Sequence, residues 1–424
     1  MKRAAVVLAV LVVLVTAAAC LPQPGEDGTA VVPIDGGHSY YSKWANSFPD
    51  DSSFFPITVF NADGVSGEAA KYKAANVNTI FNWYPGYSSQ MQAEVAANQP
   101  LYVIDGVSGG TASTLKEVKA NVSGDEPDGN GDIFCGGQPT FLRNICKAVP
   151  QSGTIGYPDF MRGRTDPASL NDMADAMRRG DPNRPVVNQF TKPVALYEGV
   201  YDPYNAQYLA RSDIISYDYY PLTDPYERNK QLWDQCTAVT NMRRFANYSK
   251  PIWVFLEPTK LWGNPDGRTT PTPAQINAEA WQSVICGARG ISWFKNDFSP
   301  GGTNNIFLDT SGKYAPVIQQ ITATDAGITQ LAPVLNADFV NGFAKVTSGS
   351  VNYTVKYSAN AYWLLAATTS LQPQTVSFQF TIKPNTSDER DIQVWNEGRT
   401  IHASNGSFSD NFAGETSVHI YKIS

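Results

Sequence analysis

Two glutamates sit in the same kind of place along this chain. Ile252-Trp253-Val254-Phe255-Leu256-Glu257-Pro258 is an apolar run that delivers one carboxylate just before a proline, and Ser123-Gly124-Asp125-Glu126-Pro127-Asp128 repeats the pattern upstream. Proline has no N–H to give to a ladder, so each Glu-Pro marks a strand end. Two carboxyl groups brought face to face can divide acid and nucleophile work. One stays protonated and donates to a leaving oxygen, while the other is ionised and attacks carbon. On a sugar, such a pair about 5 to 5.5 Å apart breaks a glycosidic bond with retention of configuration.

Other chemistry-bearing residues fall at predicted strand ends or just beyond: Asp105, Asp128, Asp218, Tyr220 and Trp293, with Trp83, Tyr84 and Trp262 on the adjoining loops. Glu198 and Glu227 flank the sixth strand in loops and are expected to be solvated. The histidines are His38, His402 and His419, none on a predicted strand of the first 332 residues. That argues against His-ligated metal hydrolysis and against a Ser/His/Asp triad, so no metal and no cofactor is expected.

The elements that must position these groups alternate. Apolar strands are predicted at Phe54–Phe60, Val77–Phe81, Leu101–Asp105, the approach to Glu126, Pro185–Phe190, Asp213–Pro221, the approach to Glu257, and Gly290–Phe294. Helical stretches separate them, opened by capping boxes at Thr114–Glu117 and Thr272–Gln275 and by Asp166-Pro167. The expectation is an α/β fold: a (β/α)8 TIM barrel over residues 51–332, whose strand C-termini share one mouth. An open doubly wound sheet is the alternative, but no Gly-x-Gly-x-x-Gly turn follows the first strand. From about Asn336 short strands separated by turns such as Asn405-Gly406 predict a C-terminal antiparallel β-sandwich over 333–424. It is expected to pack on the barrel as a structural cap.

The chain of 424 residues is mildly acidic, with a formal charge of −7, which weighs against a nucleic-acid surface. Lys2-Arg3, the apolar run Ala4–Val15 and Ala17-Ala18-Ala19 read as an export signal over residues 1–20. Cys20 directly after Ala19 resembles a bacterial lipobox, where that cysteine carries lipid; plain secretion after an Ala-x-Ala site is the other reading. The odd total of five cysteines favours the lipid, since removing Cys20 leaves Cys135 to pair with Cys146 and Cys236 with Cys286. Residues 21–50 are expected to be a tether and N-terminal segment.

The order of motifs resembles the large clan of retaining glycoside hydrolases that carry acid/base and nucleophile glutamates on barrel strands four and seven. Asp125-Glu126-Pro127 resembles the clan's Asn-Glu-Pro, and Phe255-Leu256-Glu257 its strand-seven ending. Asp181–Val186 resembles the approach to strand five, and Asp213–Pro221 the strand-six stretch with a tyrosine. Gly287–Gly290 leading to Trp293 resembles the entry to strand eight. The resemblance implies Glu126 as acid/base, Glu257 as nucleophile, Tyr220 orienting Glu257, and Trp293 under the sugar. Asp125, Asp218, Trp83 and Trp262 are further substrate-binding candidates. Asp125 stands where the clan has Asn, and Asp218 where many members have His or Asn, so the pocket's polarity differs from the common case. The expected function is retaining hydrolysis of a poly- or oligosaccharide by an exported monomer, secreted or lipid-anchored at the bacterial surface. The competing readings are a glycan-binding surface protein without activity and a transglycosylase.

Overall fold

A computed structural model describes residues 23–26, 28–85, 88–106, 112–149, 163–196, 204–223, 231–261, 270–381 and 389–424. Cys20, Glu198, Glu227 and Trp262 lie outside the described residues, as does the side chain of Tyr84.

Eight parallel strands close into a barrel: β1 (Ile57–Phe60), β2 (Thr79–Pro85), β3 (Tyr102–Gly106), β4 (Val118–Asp125), β5 (Val186–Phe190), β6 (Ile214–Asp218), β7 (Ile252–Leu256) and β8 (Gly290–Trp293). Closure is made where β8 pairs with β1, Ile291 opposite Ile57. Successive side chains of a strand point to opposite faces, so each strand feeds two cores. Phe60, Phe81, Ile104, Ala120, Val122, Val187, Ile214, Trp253 and Phe255 fill the interior. Val59, Val103, Val254, Leu256 and Ile291 face the helices instead.

The helices are α1 (Glu68–Ala74), α2 (Ser89–Ala97), α3 (Gly131–Gly137), α4 (Thr140–Arg143), α5 (Pro167–Gly180), α6 (Lys192–Leu196), α7 (Tyr204–Leu209), α8 (Asp234–Phe245), α9 (Pro273–Ile285) and α10 (Ala315–Leu335). Asp166 caps α5 and Thr272 with Gln275 forms the capping box of α9, as their spacing predicts. Thr114-Leu115-Lys116-Glu117 forms no helix; the chain there turns directly into β4. Both expected disulfides are present: Cys135–Cys146 ties α3 to the end of the α4 segment, and Cys236–Cys286 joins α8 to the end of α9.

The sandwich has a seven-stranded sheet and a three-stranded sheet. It is joined to the barrel through α9, where Gln282 donates to the Thr368 carbonyl at 2.7 Å and Trp281 meets Trp395 edge-on. The N-terminal segment after Thr29 is built into the fold. Ala30–Val32 pairs antiparallel with Phe339–Asn341 and becomes the outer strand of the larger sheet. Asp35 then takes a two-pronged ion pair from Arg243, and Tyr40, Tyr41 and Phe48 close the bottom of the barrel against Trp253. Burial of three aromatic rings fixes this segment far more firmly than its Gly/Pro-rich start suggests.

Candidate active site

At the end of β4 the ladder is irregular. Val122 pairs with Val187, but Asp125 rather than Gly124 meets Gln189, so one extra residue is accommodated. A bulge of this kind re-aims the side chains that follow it. Gly124 supplies the φ of 129°, and Glu126 has φ 50°, in the left-handed region that non-glycine residues seldom adopt. Hydrogen bonds hold it there: the Glu126 N–H donates to the Gln189 carbonyl at 3.0 Å, and its own carbonyl accepts from Gly129 and Asn130. The Asn130 amide also donates to Glu126 Oε2. Glu126 and Asp125 are both half-buried at the mouth.

Glu257 follows β7 on the inward side and is fully buried. Its Oε1 accepts the Leu222 N–H at 2.6 Å, and its Oε2 accepts the Thr223 N–H at 2.8 Å and hydroxyl at 2.6 Å. Such donors are the partners that an anionic carboxylate takes. Behind the strand, Glu279 of α9 accepts the Glu257 N–H at 3.4 Å and the Gln235 amide at 2.8 Å, and Tyr217 bonds Gln235 in turn. Burial first, then the Glu257 charge, pushes the Glu279 carboxyl well above the usual range.

Two further acids and a phenol complete the group. Burial raises Asp218 well above the usual carboxyl range, helped by the charges of Glu126 and Asp125 and by a hydrogen bond with Glu126. Burial likewise raises Asp125, followed by the charges of Glu126 and Asp128. Tyr220 is raised by burial and then by Asp218, Asp125, Glu126 and Glu257 together. One buried phenol thus lies within the fields of both strand-end glutamates. The Tyr220 hydroxyl and Asp218 Oδ1 have no hydrogen-bond partner among the described residues.

Several expectations need correction. Tyr220 does not bond Glu257; the turn just after it does, through Leu222 and Thr223. Trp293 is fully buried on the outer face of β8, where its indole N–H donates to both carboxylate oxygens of Asp325 on α10 at 3.0 and 3.1 Å. Counting in twos from Gly290 puts Ser292 and Phe294 inside, and Phe294 is the ring at the mouth, stacked on Phe60 and tilted against Tyr220. Asp105 also points outward, to Asn82. Asp128 is buried under the start of α6, accepting the N–H groups of Thr191 and Val194, and burial pushes it up to about 8. Trp83 does reach the mouth: it stacks on Phe60 and lines a cavity with Asp125. The helper residues Thr223, Asn130, Gln189 and Glu279 were not singled out from sequence; of these, Glu279 alone carried a signal, as an acid on the apolar face of α9.

Comparison with known proteins agrees with this architecture. Residues 146–322 match the Glyco_hydro_42 family, described as beta-galactosidase; the matched stretch contains Asp218, Tyr220 and Glu257 but not Glu126. A catalytic mutant of Gan42B, a GH42 beta-galactosidase from G. stearothermophilus, superposes with a TM-score of 0.54 at 7% identity, covering 88% of this chain and 98% of that one. The alpha-amylase of Geobacillus thermoleovorans, in complex with acarbose, gives 0.51 at 9% identity over 88% and 98%. An Anoxybacillus alpha-amylase gives 0.50 at 9% identity over the same shares. No curated protein matches the sequence. These structural likenesses are of fold. Together with the family match, they make the chain similar to the barrel clan of glycoside hydrolases.

Proposed function

We propose that this protein is a retaining glycoside hydrolase in which Glu126 is the acid/base and Glu257 the nucleophile. The observation that carries the reading is the pair of glutamates that directly follow β4 and β7 of one closed barrel, Glu257 held there by the turn after β6. Glu126 gives its proton to the leaving oxygen as a Glu257 oxygen bonds the anomeric carbon. Glu126 then takes a proton from water, which attacks that carbon and restores the Glu257 carboxylate. Phe294 and Trp83 offer ring faces to the sugar, and Asp125, Asp218 and Tyr220 offer polar contacts.

The family description names beta-galactosidase, so β-galactosides head the substrate panel, followed by other aryl glycosides and polysaccharides. Proton NMR of the first-formed product is the test. Retained configuration, lost in Glu257→Gln, supports the reading; inverted product overturns it. One feature favours a glycan-binding protein without activity: Glu257 has no exposed surface and donors on both oxygens. Binding without any product across the panel would favour that reading, and transfer to added sugar acceptors would identify a transglycosylase.

Export belongs to the same proposal. The two disulfides pair four of the five cysteines and leave Cys20 for a lipid anchor. Mass spectrometry of the mature N-terminus tests it, and an unmodified Cys20 would reject the anchor.

A further inference from the structure

Beyond Trp83 and Asp125 lies a cavity of about 180 Å³ whose far wall has no role in the catalytic reading. One wall is the end of β4 with Trp83; the other is the disulfide-tied insert of α3 and α4, which presents Ile133, Phe134, Pro139 and Leu142. The insert comes so close that Gly124 is required: a Cβ there would stand 3.0 Å from Gln138 Nε2 and 3.2 Å from Phe134 Cε2, at φ 129°. Ile133 is 52% exposed at the rim, an aliphatic side chain left in water unless something apolar covers it.

The polar groups around this cavity are nearly all committed. The Ser123 hydroxyl is bonded to Asn188, the Gln138 amide donates to the Phe134 carbonyl, and the Asn130 amide serves Glu126. Asp125 is the lining carboxyl, and its side chain has no hydrogen bond among the described residues. A ligand group suited to this space has one N–H or O–H for Asp125 and an apolar part for the facing wall. A bare hydroxyl or an ammonium group at Asp125 leaves Ile133 and Leu142 uncovered. An apolar cavity of about 150 Å³ takes up benzene, so the space admits a short acyl group together with the edge of a sugar ring.

We propose that this cavity takes the acylamino substituent of an N-acylated amino sugar, with the amide N–H on Asp125 and the acyl group against Ile133, Phe134 and Leu142. The inference rests on the glycosidase reading for the sugar's position beside Glu126, but its test does not depend on turnover. Saturation-transfer NMR on the full chain is run with N-acetyl-D-galactosamine, N-acetyl-D-glucosamine, galactose and glucosamine. The acetyl methyl should receive the strongest saturation, and the N-acetyl sugars should bind on the order of 10- to 100-fold more tightly than their parents. Ile133→Glu, at an exposed position that leaves the core intact, should erase most of that preference. Equal binding of the parent sugars, tighter binding of glucosamine, an unsaturated methyl, or no binding of any of the four overturns the proposal. Hydrolysis of plain galactosides without an N-acyl preference would overturn it while leaving the glycosidase reading standing. Inverted product would instead overturn that reading.

Discussion

Thr223 holds Glu257 twice, by its backbone N–H at 2.8 Å and its hydroxyl at 2.6 Å, both on Oε2. The turn after β6 therefore sets the carboxylate that β7 delivers, and Glu279 fixes the same residue from behind through its N–H. A long side chain at a strand end has many rotamers, and these contacts select one.

Thr223→Val keeps the shape of the side chain and removes the hydroxyl. A hydrogen bond to a charged group contributes about 1.5 to 3 kcal/mol. The folded protein should lose stability of that order, and kcat/KM of the enzyme that remains folded should fall about 10- to 100-fold. Steady-state kinetics beside a melting curve checks this; an unchanged kcat/KM would mean that Glu257 needs no such anchoring.

Trp293→Phe separates a sugar platform from a structural anchor. The indole N–H is a donor to buried Asp325, whose carboxyl burial raises well above the usual range while the Trp293 bond pulls it back. Removing that donor should cost about 1 to 3 kcal/mol of stability and leave KM unaltered. Phe294→Ala, at the mouth, should instead raise KM. A raised KM in the Trp293 variant would restore the platform role.

The pH profile should report the acid cluster. The raised Asp125 and Asp218 carboxyls oppose one another and Glu126, so each ionisation makes the next harder, and the protons leave in steps that belong to the group. Asp125→Asn removes one of these negative charges. The remaining acids then ionise at lower pH, and the alkaline limb of kcat/KM should move down. A limb that stays in place, measured across pH 5 to about 9, would show that Asp125 does not share the titration.

The barrel was legible because eight apolar strands alternate with capped helices, and the two Glu-Pro endings fell on β4 and β7. The sandwich and both disulfides followed from period and cysteine parity. What the residue string concealed was direction. Trp293 and Phe294 are neighbours, and only the in-out alternation of β8 decides which ring meets the mouth. Asp105 and Asp128 failed in the same way, as polar strand-end residues turned to Asn82 and to the start of α6. The bulge that re-aims Asp125 depends on the pairing of β4 with β5, a non-local fact that no local pattern encodes. Thr223 is an ordinary turn residue until β6 and β7 lie side by side.

Trapping the covalent intermediate tests the role of Glu257 directly. The protein is incubated with 2-deoxy-2-fluoro glycosides that have good leaving groups, beginning with the galactosyl compound, and the labelled peptide is sequenced by mass spectrometry. One fluoroglycosyl group is expected on Glu257, absent in Glu257→Gln. A label on another carboxylate would contradict that role, as would turnover of the parent glycoside by Glu257→Gln at the native rate.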